Sequence, residues 1–201
     1  MRARPVVHNP RTGYLGAMRI ADTDILIVPG LGNSGAGHWQ RRWGERFSTA
    51  QFVEQDDWDS PALDPWVSAI EREIMLATRP VVLIAHSLAV SAVAHTAQRL
   101  ADTKVRGAFL VSAPDLELNA NVPVETRPFR GVPRDPLSFP SMLIASTSDP
   151  FCTVERAAEF ASCWGSDFHL AGDAGHINVA SGHGPWPEGL MMFTRLMQRL
   201  K

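Results

Sequence analysis

Val81-Val82-Leu83-Ile84-Ala85-His86-Ser87-Leu88-Ala89-Val90 is the stretch on which the fold turns. Four apolar, mostly β-branched residues after Pro80 read as a strand covered on both faces. The helix-compatible run Ser91 to Leu100 follows with no loop between. Ser87 is therefore left on a very tight bend at the C-terminal edge of a parallel sheet, above the start of a helix. That placement is a nucleophile elbow, usually written G-x-S-x-G. Here alanines, Ala85 and Ala89, stand in the outer glycine positions. The physical demand is for small side chains where strand and helix nearly touch, and alanine meets it with less room to spare. A competing reading makes Ser87 an ordinary helix N-cap at a strand-to-helix turn.

Working outward, Asp24 to Val28 is a second buried strand. It ends in a glycine-rich loop, Pro29-Gly30-Leu31-Gly32-Asn33-Ser34-Gly35. Without the lysine of G-x-x-x-x-G-K-[ST] this is no P-loop. The other use of such a loop is to aim backbone N–H groups at a developing oxyanion. A helix starts near Gly37, with Trp39 and Trp43 on one face at i, i+4, and His38 lies at its start beside the loop. Gln51 to Val53 is a short strand. Asp56, Asp57 and Asp59 behind it lack the calcium-loop pattern and read as a solvated turn. Asp64-Pro65 opens a helix to about Ala77, with Asp64 expected as N-cap and Trp66, Ile70 and Ile74 as its apolar stripe.

Residues 105–112 form a further strand. From Ala113 to Phe139 the chain is rich in proline and shows no helical period. A long irregular segment leaving the Ser87 edge either roofs a pocket or is a passive connection. Residues 141–146 are a strand that runs into Thr147-Ser148-Asp149-Pro150-Phe151. A helix over 154–164, a strand over 167–170, the loop Gly172 to Asn178 and a last helix to Leu200 complete the chain. Strands alternating with helices predict a single α/β domain over residues 22–201, with about six mostly parallel strands and helices on both faces. Residues 1–21 read as an N-terminal extension, expected to be flexible, and either Met1 or Met18 serves as the natural start.

Composition narrows the function. The chain has 201 residues, 45% of them hydrophobic, enough for one sizeable core. A formal net charge of −2 without blocks of like charge gives no footprint for nucleic acid or an anionic membrane. No apolar run reaches membrane-spanning length. Cys152 and Cys163 have no C-x-x-C spacing and no metal-ligand pattern, so they read as reduced thiols of a cytoplasmic protein.

A serine hydroxyl needs a base, and the base an orienting acid. In a parallel sheet the strand ends share one edge. Ser87, Asp149 and His176 follow three different strands onto that edge, in the chain order Ser, Asp, His used by α/β-hydrolases. Asp115 is the second choice of acid and His183 the second choice of base. Asp173 is too near His176 in sequence. His95 and His169 lie inside regular elements, His8 lies in the extension, and the elbow is expected to turn His86 away. The oxyanion donors expected are the backbone N–H groups of Leu88 and Leu31. His38, Trp39, Phe151 and Trp186 are candidate pocket residues.

Several pieces resemble one family. They are Pro29-Gly30 to Ser34 with His38-Trp39-Gln40, His86-Ser87-Leu88, Ser146 with Asp149-Pro150, Gly175-His176-Ile177-Asn178, and Gly184-Pro185-Trp186-Pro187-Glu188-Gly189. Together they resemble the small serine hydrolases related to retinoblastoma-binding protein 9, a compact branch of the α/β-hydrolase fold, over residues 24–200. The resemblance implies Ser87 as nucleophile, Asp149 as acid and His176 as base, with no cofactor. The expected activity is carboxylesterase-like, on an ester or another small acyl compound. Amidase or thioesterase activity with the same residues, or a weakly active scaffold that works by binding a protein, are the alternatives.

Overall fold

The computed structural model describes residues 18–100 and 104–201. Six strands form one sheet: β1 (Asp24–Val28), β2 (Ala50–Phe52), β3 (Val81–His86), β4 (Val105–Val111), β5 (Ser141–Ala145) and β6 (Asp167–Leu170). Their order is β2-β1-β3-β4-β5-β6, and every neighbouring pair is parallel. Among the described residues five α-helices cover it: α1 (Trp39–Arg46), α2 (Leu63–Leu76), α3 (Leu88–Arg99), α4 (Val154–Trp164) and α5 (Pro187–Arg199).

Strand periodicity sorts the side chains into two cores. Leu26, Val28, Leu83 and Leu110 pack with α2, α3 and α4 on one face. Ile25, Ile27, Val82, Ile84 and Phe109 pack with α1 and α5 on the other. Burial on both faces is why β3 reads as an unbroken apolar run. Each of its fully buried Val, Leu and Ile side chains stabilises the fold by roughly 1.5–3 kcal/mol relative to exposure.

The chain runs from β1 outward to β2, then crosses back to place β3 on the other side of β1. Loops from β1 and β3 therefore diverge at their C-terminal ends and leave a crevice there, the usual ligand position in an open α/β sheet. No helix among the described residues is long and apolar enough to cross a membrane.

Three local expectations need correction or completion. The N-cap of α2 is Ala62, not Asp64. The helix starts earlier because Leu63 packs against the core, which leaves Asp64 inside the first turn. There it favours the helix dipole and pairs with Arg99 of α3. The proline-rich segment is not wholly irregular. A 3-10 turn, Val124–Phe129, buries Phe129 against Trp66 of α2, with ring centroids 5.4 Å apart. Of the extension, residues 1–17 and His8 with them lie outside the described residues. Met18 donates its N–H to the Leu200 carbonyl at 3.2 Å, and Met18 and Ile20 pack against the second core.

Candidate active site

β3 ends at His86 and α3 begins at Leu88, so a single residue makes the turn. Ser87 takes φ 57° and ψ −126°, a conformation L-residues rarely adopt and one held here by its surroundings. Its N–H is fixed to the Val111 carbonyl at 2.9 Å. Its hydroxyl makes no capping bond to α3, which removes the N-cap reading. Instead Ser87 Oγ lies 2.8 Å from His176 Nε2.

Ala85 and Ala89 are both fully buried. The glycine that permits the tight approach lies elsewhere, in the loop after β1. A Cβ on Gly30 would stand 2.8 Å from the His86 carbonyl oxygen and 3.0 Å from Ser87 Cβ. The first neighbour is backbone and cannot swing aside. Gly30→Ala is therefore expected to push the glycine loop off the elbow. Overpacking of this kind costs about 1–3 kcal/mol, and a shift near 1 Å between reacting groups costs on the order of 10²-fold in rate. Melting temperature and kcat/KM on one ester check this. Wild-type values for both would mean that loop and elbow are not in contact.

His176 stands in a loop bound to its neighbours from several sides. Its Nδ1 is 2.9 and 3.0 Å from the two Asp149 oxygens. With Nε2 facing a hydroxyl, the hydrogen-bond network assigns the proton to Nδ1, donated to the carboxylate. The Asp149 side chain is only 2% exposed, and its Oδ1 also accepts the Phe151 N–H at 3.0 Å. Ser146 Oγ accepts from Ala174 N–H at 3.0 Å and donates to the Gly172 carbonyl at 3.2 Å. Ser148 donates to Asp173 and accepts from Gly175 N–H. These bonds join the loop after β5 to the loop after β6, so acid and imidazole keep one mutual geometry.

Each residue of His38-Trp39-Gln40 has a separate function. His38 caps α1, its ring accepting the Gln40 N–H. Trp39 Nε1 donates to the Ile177 carbonyl at 2.9 Å and so holds the His176 loop. Gln40 donates to the Val28 and Ile84 carbonyls and accepts from Ser34 Oγ at 2.7 Å, tying the glycine loop to the ends of β1 and β3. Trp39 is fully buried, and Trp186 packs on it at 5.1 Å. Both belong to the core and neither lines the cleft, which corrects the expectation for them. A large ring at that position is needed to fill the space between α1, β3 and α5.

His86, set aside above as the base, supports the His176 loop, a role the sequence reading did not anticipate. Its Nε2 lies 2.9 Å from the His176 carbonyl oxygen. Period 2 along β3 places it on the same face as Val82 and Ile84, toward α1. The signal was present in the strand count. Burial, with His176 and His38 nearby, holds His86 well below the ordinary histidine range, so the neutral ring donates to that carbonyl. His38, His86 and His176 form a column, with centroids 4.9 Å and 5.0 Å apart.

The alternatives are engaged elsewhere. Asp115 caps Glu117 and Leu118 N–H groups and pairs with Arg156 Nε at 3.3 Å. His183 lies 3.3 Å from Ser181 Oγ and edge-on to Trp186. Burial pushes the Cys152 thiol up to about 12, so it is no thiolate at neutral pH. No cluster of His, Cys, Asp or Glu among the described residues would hold a metal ion.

The cleft over Ser87 has a volume of about 340 Å³. Gly30, Leu31 and His38, Val122 and Pro123 of the proline-rich segment, and Phe151 and His176 are among the residues that line it. The segment 113–139 thus contributes to the wall of the cleft. Leu31 and Leu88 both face it, and neither N–H is spent on a hydrogen bond among the described residues. A hydroxyl, an imidazole, a carboxylate and two unspent N–H groups around one cleft are the parts that acyl transfer requires.

A family model described as serine hydrolase matches residues 25–195. A solved structure described as a YdeN-like hydrolase of Pectobacterium atrosepticum is 34% identical over 88% of this chain and 91% of that one, with TM-score 0.78. The ydeN gene product of B. subtilis is 17% identical, covers 89% of this chain and 100% of its own, and has TM-score 0.72. An esterase domain of a Rhodothermus marinus protein is 16% identical, with coverage of 88% and 86% and TM-score 0.62. The last two are similar in fold. No curated protein matches the chain.

Proposed function

Because the chain belongs to the serine hydrolase family, we propose that it hydrolyses a carboxylic ester or related small acyl compound, with Ser87 as nucleophile, His176 as base and Asp149 as orienting acid. The observation that carries this reading is the unbroken line from Ser87 Oγ through both nitrogens of His176 to Asp149, at 2.8 and 2.9 Å.

Ser87 Oγ attacks the substrate carbonyl carbon while its proton passes to His176 Nε2. The carbonyl electrons move onto oxygen, where the N–H groups of Leu88 and Leu31 stabilise the charge. Asp149 fixes the imidazole tautomer and stabilises the imidazolium. The tetrahedral species collapses, the bond to the leaving group breaks, and Nε2 returns the proton to it. Acyl-Ser87 and an alcohol result. Water then repeats the attack with His176 again as base, which releases the acid and restores the serine. His86 holds the His176 carbonyl throughout, so the imidazole pivots on a fixed backbone.

A cleft of about 340 Å³ lies near the small end for ligand sites, so short acyl groups are favoured over long ones. The motifs around His38-Trp39-Gln40 and Gly184 to Gly189 support membership of the branch related to retinoblastoma-binding protein 9. The two unpaired cysteines fit a cytoplasmic setting.

The test is labelling with a fluorophosphonate probe, together with p-nitrophenyl esters of rising chain length. Covalent labelling at Ser87 and turnover that declines beyond short acyl chains are expected. A folded protein that neither labels nor turns over any ester would leave the scaffold alternative in place.

A further inference from the structure

The two ring nitrogens of His38 are used differently. Nδ1 accepts the Gln40 backbone N–H at 3.2 Å, which is the cap of α1. A nitrogen that accepts carries no proton, so the single proton of the neutral ring sits on Nε2. The ring is neutral at working pH, because burial and the nearby His176 push it down to about 4. Nε2 has no hydrogen-bond partner among the described residues, yet it is not sealed from solvent as the His95 Nε2 is. The surface His38 keeps is on the cleft. Packing on Trp39 and His86 at 5.4 and 4.9 Å holds the ring in place.

The fold also says which part of a substrate this N–H meets. His176 returns its proton to the leaving group, so the leaving group lies on the His176 side of Ser87. His38 is built into that side. Its neighbour Trp39 bonds to the Ile177 carbonyl, and Gly37 approaches Val179 closely enough that a Cβ would stand 3.6 Å from its methyl. Val122 and Pro123 come from the segment after β4, on the opposite flank of β3 from the glycine loop. No Lys, Arg, Asp or Glu is among the described residues lining the cleft. The fixed N–H therefore faces an uncharged environment, which suits an uncharged acceptor.

We propose that the Nε2–H of His38 is a specificity-determining donor to the leaving group, selecting esters whose alcohol carries a neutral hydrogen-bond acceptor such as an ether or hydroxyl oxygen. This rests on the triad reading above, since that reading defines the leaving-group side.

Two acetate esters of nearly equal size test it: butyl acetate, and 2-methoxyethyl acetate, in which an ether oxygen replaces one methylene. The readout is the ratio of their kcat/KM values, compared between parent and variant, so that the intrinsic reactivity of the two esters cancels. His38→Ser keeps a good N-cap but removes Nε2. It is expected to lower both activities and to reduce the preference for the methoxyethyl ester by roughly 3- to 10-fold, the worth of one neutral hydrogen bond, mainly through KM. His38→Gln, whose amide N–H reaches near the position of Nε2, should regain part of the preference. A ratio unchanged in His38→Ser overturns the inference, because a merely structural role lowers both esters alike. An active parent without any preference overturns it as well. A parent that labels with the fluorophosphonate probe yet hydrolyses neither ester overturns the inference alone, whereas one that neither labels nor turns over any ester overturns the proposed function together with it.

Discussion

Ser87→Ala is expected to lower kcat/KM on p-nitrophenyl acetate by on the order of 10³-fold or more, with little change in melting temperature. The two halves of this expectation have separate causes. The serine hydroxyl takes no part in holding the fold, since it makes no capping bond to α3 and its one partner is His176 Nε2 at 2.8 Å. The strained backbone at φ 57° is set by strand and helix and is the same for alanine. What disappears is the nucleophile, and with it the covalent route. Residual rate comes only from the oxyanion donors and from binding. His176→Ala should fall as far, because an unactivated hydroxyl is a poor nucleophile at neutral pH. The double variant should be hardly worse than either single one, as groups acting as a unit are not additive. Retained activity in Ser87→Ala, measured on protein freed of host esterases, would end the proposed mechanism.

The sheet was legible in the sequence because burial on both faces writes an apolar run that few other structures require. β3, α4 and β6 stand where their patterns place them. The cap of α2 was not legible, since Leu63 draws the helix start to the core and overrides the preference of Asp64. In the site, strand order brings Ser87, Asp149 and His176 to one edge. That argument says nothing about which side chains support them. Trp39 was expected at the pocket wall and is buried core, because helix position alone does not tell wall from filling. The bond from His86 to the His176 carbonyl was not legible in the elbow motif, because the side chain still belongs to the strand and follows the strand's alternation. The bonds of Gln40 and Ser148 join segments far apart in the chain, and no local pattern announces them.

Asp149→Asn should reduce kcat by on the order of 10²- to 10⁴-fold and leave the fold intact. The direction of the amide can be argued from the acid's own partners. Asp149 Oδ1 accepts the Phe151 N–H at 3.0 Å, while both carboxylate oxygens lie near His176 Nδ1. In asparagine the carbonyl oxygen must keep the Phe151 bond, which turns the NH₂ group toward Nδ1. An N–H facing Nδ1 makes that nitrogen an acceptor and moves the ring proton to Nε2. Nε2 then meets Ser87 with a proton of its own and has no lone pair to take the one on Oγ. The imidazolium also loses its countercharge, so any turnover that remains proceeds over a higher barrier. Asp115→Asn makes the useful contrast. That carboxylate faces Arg156 across 3.3 Å, and Arg156 keeps Glu117 and Glu159 at 2.5 and 2.7 Å when the Asp115 charge is removed. Stability should drop somewhat and kcat far less than in Asp149→Asn. Measuring both variants on one ester, with melting curves alongside, separates the two carboxylates. If Asp115→Asn were the crippled protein and Asp149→Asn the active one, the acid would belong to the end of β4 and the line from Ser87 to Asp149 would be an accident of packing.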